Sequence, residues 1–196
     1  MIITREQLKE ITGVGFYDGA VLHNRFAYKF FKKHVNREGN IVAFIAPMEV
    51  TTNLIDLEDS LNNDYIYSDN AINFIIEIPD ISLFGGVCFQ RLFNAQLGSI
   101  LCTKYLQAEG YVKGDDLMVK VGDNQAKKAS VSIAGYKDGA VLIHTGINIL
   151  AGPKAPNFAF STNLTDEQAT EFMEDALNVF HILAHDVHVA CTKVII

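Results

Sequence analysis

Three long apolar runs rich in β-branched residues constrain this chain more than any other feature. They are NIVAFIAPMEV over residues 40–50, FIIEI inside YIYSDNAINFIIEIPD, and the return leg of KKASVSIAGYKDGAVLIHTGINI. Runs of this length and composition read as interior strands rather than surface ones. Pro47 is expected to stop the first and Pro79 the second, because proline donates nothing to a strand ladder. A turn is expected at Ser68-Asp69-Asn70. The third run predicts a buried hairpin, with Ser130, Ser132 and Ala134 alternating against Val131 and Ile133 and a loop over 135–139. Helical signals surround these strands. Thr4 with Gln7, and Thr165 with Gln168, have capping-box spacing, and Gly13 suits a helix end. A turn at Asp18-Gly19 leads into helical spacing. Phe89, Leu92, Phe93, Leu97, Ile100 and Leu101 recur at helical intervals, as do Phe172, Ala176, Phe180, Leu183 and Val187. Strands in the middle with flanking helices predict the α+β class: a mixed or antiparallel central sheet, helices on one side, and one domain over 1–196.

Composition narrows the function classes. The chain has 16 basic and 23 acidic residues, a net charge of -7, and its only arginines are Arg5, Arg25, Arg37 and Arg91. Nucleic-acid binding ordinarily needs a basic stripe, so no nucleic-acid partner is expected. No apolar run approaches the roughly 18 residues of a membrane span, and the N-terminus is charged where a signal peptide is apolar. Cys88, Cys102 and Cys191 have no metal or redox spacing. Together these point to reduced thiols and a cytoplasmic protein.

Several constellations could carry chemistry. Asp56, Glu58 and Asp59 crowd three carboxylates into four positions, as a divalent-cation site or a solvated acidic turn. Glu77 interrupts an apolar run and needs a partner if buried; Arg91, beside Gln90, is a candidate. His181, His185 and His188 share one helical face, but the glutamate of a zinc-binding H-E-x-x-H is missing and the triplet lies off the buried stripe. No nucleophile elbow, P-loop or dinucleotide fingerprint occurs. Lys128 stands at the first residue of a strand, where sheet ends expose polar groups to ligands. Asp116, at the head of the preceding strand, can reach the same rim. His144 and Asn148 share one parity on the returning strand, hence one face. A solvated edge hairpin is the alternative reading of these residues.

The ordered motifs YDGAVL, IVAFIAPMEV, DLED, IYSDNAINFIIE, FQRLFNAQL, GDDLMV, KASVSIA, LIHTGINI and TKVII resemble an uncharacterised family, domain of unknown function 366. More distantly, the block from KGDDLMV through KKASVSIA to LIHTGINI is similar to the biotin and lipoate protein ligase catalytic domain. That resemblance implies Asp116 and Lys128 as catalytic residues, Lys128 contacting an acyl-adenylate, with Gly146-Ile147-Asn148 as the closing element. It also implies ATP and Mg as candidate cofactors, although the ligases' glycine- and arginine-rich nucleotide loop has no counterpart here. The expectation is a small-molecule-binding protein acting on a small carboxylate or heterocycle. Glu77, Gln90, Arg91, His144 and Asn148 are its candidate ligand-binding residues. The alternative is a non-catalytic binding module, and a homodimer through the hairpin edge is a further candidate.

Overall fold

The computed structural model describes residues 1–31, 37–54, 56–62, 64–122 and 125–193, without the side chains of Phe31, Glu58 and Asp59. A four-stranded antiparallel sheet is built from β1 (Asn40–Val50), β2 (Ile66–Pro79), β6 (Ser130–Lys137) and β7 (Ala140–Leu150), in the order β1-β2-β7-β6. A smaller sheet, β3-β4-β5, joins Glu109–Lys113, Asp116–Lys120 and Lys127–Lys128. Every strand pairing in both sheets is antiparallel.

The large sheet is covered on both faces, which is why its strands read as near-continuous apolar runs. Ile72, Phe74 and Ile76 of β2 pack with Phe93 of α5 (Leu83–Ile100) and Phe172 and Phe180 of α6 (Asp166–Ala190). The alternate residues, including Phe44, Met48 and Ile75, pack on α1 (Arg5–Thr12), α2 (Ala20–His23) and α3 (Phe26–Phe31), while the short α4 (Leu57–Asn62) lies between β1 and β2 in the chain. The expectation of helices on one side thus describes the two long helices, while three short ones cover the other face. Full burial of each large apolar side chain contributes about 1.5–3 kcal/mol. Both capping boxes form: Thr4 and Thr165 accept from the backbones of Gln7 and Gln168, whose side chains reach back.

Two punctuation signals act differently from expectation. Pro47 does not end β1, which continues to Val50 across a register shift between Ala46 and Met48. β1 is the sheet's edge strand, so a missing N–H costs no ladder bond, and the Pro47 carbonyl accepts from Tyr17 N at 2.8 Å. Ser68-Asp69-Asn70 is likewise not a turn. It lies within β2, where the register shifts between Asn70 and Ala71 and the Ser68 hydroxyl reaches Asn70 O and Leu150 O at 3.0 and 2.9 Å. The hairpin loop is shorter than 135–139, because β6 runs to Lys137 and the chain reverses at Asp138-Gly139, both at positive φ. The sequence also predicts a turn at Gly122-Asp123-Asn124, which lies partly outside the described residues. No helix among the described residues is long and apolar enough to cross a membrane.

The face that the short helices cover is not wholly apolar. Asn73, Glu77, His144 and Asn148 all belong to this face and are all buried.

Candidate functional site

Lys128 is fixed by its backbone before its side chain does anything. It pairs with Met118 in the small sheet, its N–H donates to Phe158 O at 2.9 Å, and its carbonyl accepts from Phe160 N at 2.8 Å. One residue later the chain crosses into the large sheet. Ala129 N donates to Leu117 O and Ala129 O accepts from Asn148 N, while Ser130 Oγ accepts from Leu117 N at 2.8 Å. Lys128 therefore belongs to a separate two-residue strand, β5, rather than opening β6 as expected. The junction of two sheets holds it on both edges.

Two adjoining cavities share Lys128, Ile66 and Val131 in their walls. The inner one, of about 200 Å³, is lined also by Tyr17, Asp56, Asp115, Asp116 and His144. The outer one, of about 380 Å³, is lined also by Tyr65, Tyr67, Asn148, Pro156 and Phe158. Lys128 Nζ lies 2.8 Å from Asp116 Oδ1, both side chains being about one quarter exposed. Burial pushes the Asp116 carboxyl above its ordinary value, opposed by its bond to Lys128.

His144 forms part of the inner wall, and its partners determine its tautomer. Asn73 Nδ2 donates to Ala46 O and Ala71 O, both at 3.2 Å, which turns Asn73 Oδ1 toward His144 Nε2 at 3.0 Å. His144 Nε2 must then carry the proton, leaving Nδ1 as a lone-pair acceptor. Burial holds the ring's pKa down at about 3, so it is neutral at physiological pH. Tyr17 stacks on it with ring centroids 3.7 Å apart and planes 12° from parallel. Gly146 permits this packing. A Cβ there would lie 2.5 Å from Met48 Sδ and 3.1 Å from His144 Cε1.

Behind the cleft, on the sheet's other face, buried polar side chains tie α5 to the strands. Ser132 Oγ accepts from Gln90 Nε2 at 2.7 Å and reaches His144 O and Thr145 Oγ1, each at 2.9 Å. Thr145 Oγ1 donates to Asn94 Oδ1 at 3.0 Å, and Asn94 Nδ2 donates to Asp115 O at 2.9 Å. Gln90 is thus a member of the supporting network.

The expected Glu77–Arg91 pair does not form. Glu77 accepts the backbone N–H groups of Ala27 and Tyr28, both at 3.0 Å, and lies 3.7 Å from Arg25 Nε. It neutralises the exposed amides at the start of α3, which explains a carboxylate inside an apolar strand. Arg91 instead donates to Gln90 Oε1 at 2.6 Å and lies 3.8 Å from Asp115 Oδ2. Strand parity could not distinguish these partners, because Arg25 is 52 positions away and Arg91 is only 14.

Of the acidic trio, Asp56 reaches the inner cavity, while the side chains of Glu58 and Asp59 lie outside the described residues. His181, His185 and His188 are exposed, and His185 Nδ1 meets Glu38 Oε1 at 3.1 Å. Among the described residues no three His, Cys, Asp or Glu side chains form a metal-holding group. Sequence reasoning missed Tyr17 and Asn73. The signal for Asn73 was present: like Glu77, it is a polar residue interrupting an apolar run, and it shares that residue's parity.

Residues 8–195 match the family model described as domain of unknown function (DUF366). A solved protein of unknown function from Pyrococcus horikoshi is 24% identical, with 92% of each chain covered and a TM-score of 0.79. The bi-partite lipoate protein ligase of Thermoplasma acidophilum is 11% identical, with 84% of this chain and 80% of that one covered and a TM-score of 0.51. A biotin protein ligase from Aquifex aeolicus, in complex with biotin, is 13% identical over 79% of this chain and 64% of that one, with a TM-score of 0.51. At these identities the shared property is the fold. No curated protein matches the chain in sequence.

Proposed function

The chain belongs to the DUF366 family, whose description assigns no activity, and from its cleft we propose that it binds a small molecule bearing a carboxylate or other anionic group. The observation that carries this reading is the position of Lys128. Its ammonium stands in the wall common to two cavities, on a backbone clamped between two sheets. Such a point charge can hold a ligand oxygen while Asp116, at 2.8 Å, keeps it oriented. The outer cavity alone falls within the ~300–1,000 Å³ typical of small-molecule sites, and its aromatic and apolar lining suits a ligand's body.

An acyl-adenylate-type ligase is the second reading, favoured by the ligase fold and by a lysine at this junction. The lining weighs against it. Asp56, Asp115 and Asp116 line the inner cavity with Lys128 as the single cation among its described lining residues and Arg91 3.8 Å from Asp115, so a bare triphosphate meets more carboxylates than cations. Among the described residues no three His, Cys, Asp or Glu side chains form a group that would hold a metal by itself, so Mg would have to enter with the nucleotide's phosphates. Binding without nucleotide chemistry is therefore the reading the geometry supports better. Within the same proposal, a homodimer would use β6, which has a strand neighbour on only one side, and mass in solution tests it.

Thermal unfolding of the wild type and Lys128→Ala, with octanoate or biotin and with or without Mg-ATP, separates the readings. A ligand at 100 times its dissociation constant stabilises by ~2.7 kcal/mol, and each kcal/mol raises the midpoint by ~2–4 °C at this size. A rise with carboxylate alone, lost in Lys128→Ala, supports binding. A rise requiring Mg-ATP favours the ligase. No rise under any condition overturns both.

A further inference from the structure

We propose that the inner cavity recognises a nitrogen-bearing head group that donates N–H hydrogen bonds, so that the ligand is a carboxylate with an amine or ring N–H at its far end. This rests on the reading of Lys128 as the anion holder and specifies what lies beyond it. At about 200 Å³ the inner cavity admits a head group rather than a whole ligand.

Its polar atoms are predominantly acceptors. His144 presents Nδ1 as a lone pair because Asn73 occupies Nε2, and Nδ1 has no hydrogen-bond partner among the described residues. Tyr17, 3% exposed, lines the same cavity, and its hydroxyl, which can accept as well as donate, has no hydrogen-bond partner among the described residues. Asp56, Asp115 and Asp116 add carboxylates to the lining, of which Asp116 meets Lys128 at 2.8 Å and Asp115 lies 3.8 Å from Arg91. Against these stands the Lys128 ammonium, which Asp116 already engages. Neither His144 Nδ1 nor the Tyr17 hydroxyl is fully enclosed, and two unpartnered polar atoms on stacked rings in a cavity wall indicate what is to be bound. A purely apolar head would leave His144 Nδ1 dry and unpaired, whereas an N–H would satisfy it. The two rings reinforce each other. Stacking fixes both planes, and the Asn73 bond stops the imidazole from exchanging its donor and acceptor edges.

The test compares octanoate, which has no donor at its tail, with 8-aminooctanoate and desthiobiotin, which carry an ammonium and a ureido N–H respectively. Binding is measured by calorimetry on the wild type, Tyr17→Phe, His144→Phe and Lys128→Ala, with folding checked by circular dichroism. The expected result is that at least one N–H probe binds the wild type about tenfold or more tighter than octanoate, the scale of one well-made hydrogen bond. That ratio shrinks in Tyr17→Phe and collapses in His144→Phe. Which N–H probe prevails tells an ammonium head from a ring N–H. Equal binding of all three probes to the wild type, with loss only in Lys128→Ala, overturns this proposal and leaves the Lys128 reading intact. An unchanged ratio in the folded variants also overturns it, and if His144→Phe fails to fold, Tyr17→Phe decides. Failure of every probe to bind overturns both.

Discussion

Lys128 Nζ and Asp116 Oδ1 meet at 2.8 Å across the junction of the two sheets, in the wall that separates an acceptor-rich inner cavity from an aromatic outer one. The pair is partly buried, and this gives it two separable roles. Asp116 orients the ammonium, and the ammonium offsets the burial that raises the Asp116 carboxyl.

Lys128→Ala should therefore remove ligand-induced stabilisation while lowering intrinsic stability only slightly, by about 1 kcal/mol, because solvent screens a pair at this exposure. Urea unfolding with and without ligand checks this. A loss of several kcal/mol without ligand would make Lys128 chiefly structural.

Glu77→Gln should destabilise the fold by about 1–3 kcal/mol, since one amide oxygen cannot replace two carboxylate oxygens that accept from Ala27 and Tyr28. Arg25 would lose its ion partner as well. Hydrogen exchange should show α3 opening first. Unchanged protection there would sink the capping role.

Gly146→Ala should cost about 1–3 kcal/mol, because the new methyl would lie 2.5 Å from Met48 Sδ in a fully buried site. Adding Met48→Ala makes room, and the double variant should lose less than the two single effects summed. Simple additivity in urea unfolding would show that the two positions do not clash.

His144 gives the fold a pH dependence with a definite sign. Its folded-state pKa of about 3 lies below the ordinary value of 6.5, so the unfolded chain binds the extra proton first. Its contribution is fully present above about pH 6.5, declines as pH falls through that window, and is gone near pH 3. Glu77 and Asp116, raised by burial, contribute in the opposite sense over the ordinary carboxylate range and above. The difference between wild type and His144→Phe in urea unfolding at stepped pH isolates the histidine. A flat difference between pH 7 and 4 would contradict its burial as a neutral ring.

Particular residues show how much of this was legible in the sequence. The capping boxes at Thr4 and Thr165, the apolar stripe of α5 apart from the exposed Leu92, and the three apolar strands were readable, because each depends on neighbours within one turn or on a fixed repeat, whereas the place of β1 at the sheet's edge rather than its interior was not. Strand parity likewise placed His144 and Asn148 on one face. Pro47 and Ser68-Asp69-Asn70 misled because a bulge on an edge strand, or a hydroxyl bonded across two strands, absorbs a local breaker.

Amino-acid order alone determined the α+β class, the burial of the central runs and the two lysines ahead of the hairpin. Tertiary structure decided that Glu77 faces α3 rather than Arg91, that Tyr17 stacks on His144, and that Lys128 stands between two cavities. The physical reason is range. Periodicity and caps are set by contacts a few residues apart, whereas a partner for a buried charge is chosen by which distant segments the packed sheet brings within about 3 Å.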